Sequence, residues 1–208
     1  MRTYKIRTQR FILLILLLSC ITSVFSSDFF HRIAEDDGLS NRRCFSVQQD
    51  KHGFMWISTK LGVDRFDGKN FRHYPLNLFP DQGYNRIGVN YLRCSPDSTL
   101  WVFSEAGLLF QYDERKDEFE LIYAVRDFFN NHSIILNDVM FDSPETVFLS
   151  TSKGVLKLNL PDRMALLFPG TEELSVNQVN KNDDRYYIST PVSYTHSEPT
   201  RHSLISYA

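Results

Sequence analysis

The chain has 208 residues, of which 42% are hydrophobic and 14% aromatic, so it contains enough apolar material for a packed core and is not a disordered chain. Its 23 Lys and Arg residues against 25 Asp and Glu residues give a net charge of -2. No broad basic surface therefore points to nucleic acid or to anionic lipid as a partner.

The first predicted element is an export signal. The basic segment "MRTYKIRTQR" is followed by the apolar run "FILLILLL", which is too short to span about 30 Å of hydrocarbon as a helix. Small residues come next, so we predict that residues 1–27 are a signal peptide, with cleavage near Ser26 and a mature chain that begins near Asp28. In an alternative interpretation "LLSC" is a lipoprotein signal and Cys20 is lipidated, although Leu18 is bulky for that position.

The rest of the chain repeats one short motif. Its copies are "WISTKLG", "WVFSEAG", "FLSTSKG" and the incomplete "YIST", which begin at Trp56, Trp101, Phe148 and Tyr187. In each complete copy an aromatic residue is followed after two residues by Ser or Thr, and after two more by Gly. The copies recur about every 45 residues, close to the length of one four-stranded propeller blade. Helical repeats are disfavoured, because no long segment shows a 3.6-residue apolar period.

Each repeat contains four short β-rich runs separated by turn residues. A single four-stranded sheet in water can bury neither face, so we expect successive sheets to cover one another, with the repeated aromatic residue at the contact. The sequence therefore predicts an all-β fold, an incomplete β-propeller of about three and a half four-stranded blades after a signal peptide. The repeats cover residues 44–75, 89–124, 137–168 and 176–190, within a partial propeller at residues 28–190.

Turns and a leading strand complete this prediction. Asp67 and Gly68 are predicted to form a tight hairpin. Residues 29–34 are expected to be a fourth strand without its own blade, the strand that completes the last blade of a closed ring. Three further glycines are predicted at turns with positive φ: Gly62, Gly107 and Gly154.

The first repeat resembles the two-component regulator propeller repeat. The resemblance covers residues 29–190 and weakens where Phe148 and Tyr187 replace Trp and Asn159 replaces Asp. The matching positions are Gly38-Leu39-Ser40, Asp50, Gly53, Trp56, Ile57, Thr59, Gly62, Val63, Asp67, Gly68, Phe71 and Tyr74.

This resemblance implies a function. It implies the N-terminal periplasmic sensor part of a Bacteroidetes-type hybrid two-component sensor histidine kinase, with a parent protein anchored in the inner membrane. The implied partners are an oligosaccharide ligand, the remaining blades and the downstream sensor domains, and contact with the membrane comes only through the parent chain. The stretch itself contains no catalytic motif and is not expected to be an enzyme. The kinase that the resemblance implies is expected to be missing because the stretch is a truncated fragment.

The last residues break the repeat. Residues 191–208 can be back-translated onto the adapter of a sequencing-library transposon, so we predict a non-native tail and an authentic chain that stops near Thr190. Three and a half blades leave one sheet face and one strand edge open, so the stretch alone is expected to aggregate or to remain partly unfolded.

No catalytic, cofactor-binding or metal-binding residue is predicted. The chain contains no nucleophile motif or phosphate loop. Glu35-Asp36-Asp37 and Asp183-Asp184 are interpreted as solvated loop charges, and Cys44 and Cys94 as semi-buried thiols whose pairing stays open. The histidines at positions without a shared spacing, interpreted as surface or turn residues, are His31, His52, His73 and His132.

The ligand-binding residues are unknown, but three loops are candidates. Residues 34–43, 77–88 and 126–135 combine polar residues with aromatics that suit sugar recognition, or that pack under a long loop. The aromatics are Tyr84, Phe128 and Phe129.

Two other functions remain as alternatives: an exported propeller enzyme acting on polysaccharide, as a lyase or glycosidase, and a propeller that only docks another protein. An enzyme of this kind needs carboxylate pairs on innermost strands. Those strands end at Asp50, Ser95, Asp142 and Asn182. We predict that Asp50 and Asp142 are turn caps.

Overall fold

The computed structural model describes residues 32–76, 89–131, 133–183 and 185–191, together with the backbone of residues 204–207. Residues 34–208 form one unit, and all the sheets belong to it. The predicted signal peptide lies outside the described residues. Of the predicted leading strand, residues 32–34 are described and belong to no strand.

Four antiparallel sheets follow one another along the chain, and we call them blades 1 to 4. Within each blade the strands are adjacent in sequence order, as in a meander. Blade 1 contains β1 (Cys44–Gln49), β2 (Met55–Thr59), β3 (Gly62–Phe66) and β4 (Phe71–Tyr74). Blade 2 contains β5 (Asn90–Cys94), β6 (Leu100–Ser104), β7 (Leu108–Asp113) and β8 (Glu118–Ala124). Blade 3 contains β9 (Leu136–Phe141), β10 (Thr146–Thr151), β11 (Gly154–Asn159) and β12 (Ala165–Leu167), and blade 4 contains β13 (Gln178–Asn182), β14 (Arg185–Ser189) and β15 (Leu204–Tyr207).

The repeated aromatic residues occupy equivalent places. Trp56 pairs with Gln48 on β1 and Arg65 on β3. Trp101 has the same relation to β5 and β7, and Phe148 to β9 and β11. The predicted fold class and the equivalence of the repeats are therefore confirmed.

The aromatic residues of the three complete motif copies each cover the next blade. Trp56 is fully buried and shares a core with Leu92 and Leu100 of blade 2. Trp101 shares a core with Val147 of blade 3, and Phe148 with Ile188 of blade 4. The apolar core thus consists of layers between consecutive sheets, which is how a propeller buries faces that a single sheet leaves in water.

In blades 1 and 3 the Thr of the motif closes the turn between the second and third strands. In blade 1, the Thr59 hydroxyl donates to Gly62 O at 3.3 Å and accepts the Leu61 N–H at 3.2 Å. In blade 3, Thr151 makes the same pair of bonds, the first to Gly154 O at 2.7 Å. Gly62 has a φ of 138°, and a Cβ there would lie 2.4 Å from Tyr74 O. The conserved spacing within the motif therefore has a local cause, the geometry of this turn.

A short helix, α1 (Val125–Phe129), connects blades 2 and 3. The sequence predicted a loop there, because five residues are too few to show a helical period. Val125 is fully buried, and Asn130 ends the helix with a φ of 47°.

The edge of blade 4 is paired with part of the segment predicted to be non-native. The backbone of β15 pairs with β14, with Ser206 opposite Tyr187. An unpaired strand edge presents a row of N–H and C=O groups that a β-prone segment can satisfy. This pairing can form whether or not the segment is native. The non-native origin of residues 191–208 therefore remains a prediction.

Candidate functional site

A groove of about 740 Å³ lies between blades 1 and 2. Its walls are the β1–β2 turn, the β5–β6 turn, and the end of β7 with the turn that follows it. Its volume is within the usual range for small-molecule sites, about 300–1,000 Å³. The lining residues that the following paragraphs use are Asp50, Lys51, His52, Phe54, Arg65, Thr99, Gln111, Tyr112, Asp113, Glu114, Arg115 and Glu120.

The two turns that line the groove are held by the buried tryptophans. Asp50 accepts the backbone N–H groups of His52 and Phe54 at 2.9 and 3.0 Å through Oδ1. Its Oδ2 accepts the indole N–H of Trp56 at 2.7 Å. In blade 2 the indole of Trp101 donates to Ser95 Oγ at 3.1 Å. The repeat therefore positions the groove walls, and Asp50 is a turn cap as predicted.

Arg65 forms the floor of the groove and joins the two blades. Its guanidinium lies 4.8 Å from the centre of the Phe54 ring and 5.5 Å from that of Trp56. Nη1 donates to the Tyr112 hydroxyl at 3.2 Å and lies 3.4 Å from Asp117 Oδ1. Aromatic faces attract a cation, so the stack and the hydrogen bonds hold Arg65 in one orientation.

Below Arg65, the Asp117 carboxylate bonds to side chains of both blades. Its Oδ1 accepts the Tyr74 and Tyr112 hydroxyls at 2.6 and 2.5 Å, and it pairs with Arg65 and Arg72. Partial burial raises the pKa of Asp117, but the two hydroxyl donors and the two guanidinium groups outweigh it and hold that pKa below its usual range. Burial, followed by the bond to Asp117, raises the pKa of Tyr74, so this hydroxyl stays a donor.

An ion pair crosses the mouth of the groove. Lys51 Nζ of blade 1 lies 2.7 Å from Glu114 Oε1 of blade 2, and His52 Nε2 lies 3.8 Å from the same oxygen. These side chains are about half exposed, so the pair adds little to stability and opens easily.

Two of the three predicted ligand-facing loops lie at the other ends of the strands. Residues 34–43 precede β1, and Arg43 O accepts the N–H of Lys60 in the β2–β3 turn at 3.2 Å. Residues 126–135 precede β9 and include all of α1 except its first residue; Phe128 is 38% exposed, whereas Phe129 packs against the core of blades 2 and 3. Residues 77–88, including Tyr84, lie outside the described residues.

The Gly-Leu-Ser motif has a structural role. The backbone N–H and hydroxyl of Ser40 both donate to Asp64 Oδ2, at 2.8 and 2.7 Å. Asp64 is fully buried, and its Oδ1 lies 2.7 Å from His73 Nδ1. These bonds attach the segment before β1 to blade 1. The sequence did not identify Asp64, because its burial depends on the segment that folds over it.

The other ionisable candidates are brought into no shared site. His52 and His73 contact different carboxylates, and His31, His132 and Asp184 lie outside the described residues. The charges of Glu35, Asp36 and Asp37 are exposed in a short 3-10 helix (Glu35–Asp37), as expected for loop charges. Both thiols are free; Cys94 is half-buried, but Cys44 is exposed, so the semi-buried prediction is wrong for Cys44.

The innermost strands carry carboxylates that are already engaged. Asp142 is not the turn cap that we predicted. Its two oxygens accept from Lys181 and Tyr186 of blade 4 at 2.6 and 3.2 Å. Phe148 stands where Trp56 stands in blade 1, and its side chain has no N–H to donate to Asp142. Asp138 on β9 pairs with Arg93 on β5 at 2.7 Å.

The described ranges contain neither a cluster of metal ligands nor a helix that could span a membrane. No group of three or more His, Cys, Asp or Glu side chains there is arranged to hold a metal ion. No helix in the described part of the chain is long and apolar enough to cross a membrane.

Comparisons with known proteins point to one kind of domain. No protein-family model matches the chain. The extracellular domain of the hybrid two-component system BT3049 from B. thetaiotaomicron matches 77% of this chain with a TM-score of 0.58 and 19% identity. That of BT4673 from the same organism matches 77% with a TM-score of 0.60 and 16% identity. Histidine kinase P4 of Formosa agariphila is 36% identical over 52 residues, which are 25% of this chain.

The chain spans only part of each of these proteins. The matches cover 24% and 21% of the two solved domains and 4% of the kinase. The resemblance seen in the first repeat is nevertheless confirmed: the sheets described here are propeller blades of the type found in the extracellular domains of hybrid two-component systems.

Proposed function

We propose that the chain is a ligand-sensing propeller segment in the periplasmic region of a membrane-anchored two-component sensor, and that its ligand is an oligosaccharide. The observation that supports this proposal most is that the blades match extracellular domains of hybrid two-component systems over 77% of the chain. The groove between blades 1 and 2 offers aromatic and hydrogen-bonding side chains of the kind that sugars require.

The position of the groove gives a route from binding to signalling. Its walls belong to two blades that are joined through Arg65, Tyr112 and Asp117. A ligand that contacts both walls stabilises one arrangement of the two blades over another. Such a ligand shifts the populations of two states of the sensor by the difference in its affinity for them.

The alternative of a polysaccharide lyase or glycosidase finds less support. On the described innermost strands and the turns that end them, Asp50, Asp138 and Asp142 are each bound by an indole, guanidinium or ammonium group. These contacts occupy carboxylate oxygens that a general acid or base would need for its substrate. A role in docking another protein remains as an outcome of the binding experiment below.

The first experiment is to resequence the locus from intact genomic DNA beyond codon 190. We expect further propeller blades, a membrane helix and a kinase in place of residues 191–208. A stop codon directly after the fourth repeat would contradict the proposed parent protein.

The second experiment measures binding to the intact domain, meaning the mature chain from Asp28 to the end of its last blade. We expect micromolar to millimolar binding of an oligosaccharide by calorimetry, and activation of a reporter gene by the same sugar in cells that contain the full sensor. A sugar that is cleaved during the titration would favour the enzyme, and capture of a protein with no sugar binding would favour docking.

A further inference from the structure

We propose that a second groove, between blades 2 and 3, binds the carboxylate or sulfate group of an acidic oligosaccharide. This inference rests on the sensing function proposed above and adds the chemical class of the ligand. The second groove has a volume of about 300 Å³. Its walls are the β5–β6 turn, the β9–β10 turn and the turn that follows β11, so it is the counterpart, one blade further on, of the groove between blades 1 and 2.

Two equivalent positions carry different charges in the two grooves. Arg65 and Gln111 occupy the same place, since each pairs with the tryptophan of its own blade. Asp117 and Arg163 also correspond, because each lies four residues after the end of a third strand and has a positive φ, of 55° and 57°. A cation and an anion between blades 1 and 2 are thus replaced by an amide and a cation between blades 2 and 3.

The Arg163 guanidinium has no internal partner of the kind that Arg65 has. Arg65 and Asp117 pair at 3.4 Å, whereas Arg163 forms neither an ion pair nor a side-chain hydrogen bond with any residue that the structure describes. The same is true of the Gln111 amide, and both groups line the second groove. A guanidinium matches the two oxygens of a carboxylate, and an amide N–H can donate to an anion or to a sugar hydroxyl.

The second groove has fewer carboxylates than the first. Among the described residues that line it, Asp97 is the one carboxylate, and the Ser95 hydroxyl donates to it at 2.5 Å. In the groove between blades 1 and 2, the guanidinium of Arg115 shares the lining with four carboxylates. Those carboxylates are Asp50, Asp113, Glu114 and Glu120. Like charges in proximity cost binding free energy, so an acidic group is expected in the second groove.

Backbone hydrogen bonds hold the walls of the second groove in place. On blade 2, two such bonds close the turn at residues 95–99, which also lines the first groove. On blade 3 the N–H of Leu160 donates to Glu145 O at 2.8 Å, which joins the turn that contains Pro144 to the one that contains Pro161. Leu160 and the two prolines give this wall an apolar surface that suits the C–H groups of a pyranose. An oligosaccharide that crosses residues 95–99 therefore contacts both grooves.

Calorimetry on the intact domain tests the inference. The probes are oligosaccharides of galacturonate, glucuronate and mannuronate, sulfated oligosaccharides, and neutral oligosaccharides of the same length. An aspartate-rich peptide is added as an anion that is not a sugar. Arg163→Gln removes the charge, Arg163→Lys keeps the charge without the paired donors, and Gln111→Ala removes the amide. Arg185→Gln is the matched control, because Arg185 is an exposed arginine at the start of β14 and lines neither groove.

We expect an acidic oligosaccharide to bind at least about tenfold more tightly than its neutral counterpart, with an affinity that falls as salt is added. Arg163→Gln should remove most of this difference, and Arg163→Lys should retain part of it. Gln111→Ala should weaken acidic binding about threefold or more. Arg185→Gln should leave both affinities unchanged.

Equal or tighter binding of the neutral sugar would overturn the acidic class while leaving the sensing function in place. Acidic binding that Arg163→Gln does not weaken would show that the second groove is not the site of the acidic group. No binding of any sugar would count against the proposed function itself, and binding of the peptide alone through Arg163 would indicate protein docking instead.

Discussion

The indole N–H of Trp56 donates to Asp50 Oδ2 at 2.7 Å, so the residue that packs blade 1 on blade 2 also holds the turn six residues before it in the chain. Trp101 and Ser95 repeat this relationship at 3.1 Å with a neutral acceptor. Packing between blades and the shape of the groove wall are therefore coupled through one side chain. The following predictions concern the intact domain.

The two indole bonds should differ in strength. Replacing Trp56 by Phe keeps most of the buried aromatic surface but leaves the Asp50 carboxylate without its donor, so we expect a loss of about 2 to 3 kcal/mol in the free energy of unfolding. Trp101→Phe removes a bond to a hydroxyl and should cost about 1 kcal/mol less. Urea denaturation measures both, and equal losses would mean that the charge on Asp50 adds nothing.

Replacing Phe148 by the tryptophan found at this place in blades 1 and 2 should destabilise the domain. The place of its missing N–H on Asp142 is taken by Lys181 and Tyr186 of blade 4. We expect Phe148→Trp to destabilise the domain by about 1 to 3 kcal/mol, because the larger ring overfills the site and its N–H competes for an occupied acceptor.

A double-mutant cycle with Tyr186→Phe isolates that competition. Removal of the Tyr186 hydroxyl should make the tryptophan cost less, with a coupling of about 0.5 kcal/mol or more between the two sites. Strict additivity of the two changes would show that only ring size matters.

Gly62 and Gly68 both have positive φ but differ in the space around them. A Cβ on Gly62 would lie 2.4 Å from Tyr74 O, whereas a Cβ on Gly68 would meet nothing within 4 Å. We expect Gly68→Ala to cost about 1 to 2 kcal/mol from backbone conformation alone. Gly62→Ala should cost at least about 2 kcal/mol more, because β4 must move away. Equal melting temperatures of the two variants would contradict the close approach seen here.

Asp117 should make the stability of the domain depend on acid pH. Its pKa is lower in the folded state than in the unfolded state, so the stability that it contributes is present above the unfolded value and is lost as the pH falls through the folded one. We expect Asp117→Asn to destabilise the domain by about 1 to 2 kcal/mol at neutral pH.

The difference between Asp117→Asn and the unchanged protein should shrink as the pH falls below about 4. Asp127→Asn is the control, since the Asp127 side chain is 73% exposed and its ion pair should contribute little at any pH. Denaturation curves at a series of pH values test both variants. A difference for Asp117→Asn that stays constant down to pH about 2 would refute the assigned pKa direction.

Most of the fold could be predicted from the sequence because the repeat is a local pattern. The spacing from Trp56 to Thr59 to Gly62 follows from one turn, and the alternation of apolar residues follows from two-sided burial. The candidate site was harder to predict from the sequence. Asp117 joins β4 to β7 and Asp142 binds blade 4, and contacts between blades leave no fixed spacing in the chain.

The choice of ligand-facing loops shows the same limit. Aromatic content favoured residues 126–135, yet Phe129 is used in the core, and the groove instead uses Phe54 and Tyr112 from a turn and a strand. Composition indicates which residue types suit a sugar, whereas the strand end at which they lie depends on how two blades pack.

The chain contains two tryptophans, and each is buried at a different boundary between blades. In a protein with Trp101→Phe the tryptophan emission would therefore come only from Trp56, which lies beneath the groove and contacts Arg65 and Tyr112. A protein with Trp56→Phe would emit only from the next boundary. Intrinsic fluorescence then becomes an optical probe that separates motion at the first boundary from motion at the second, with no added dye.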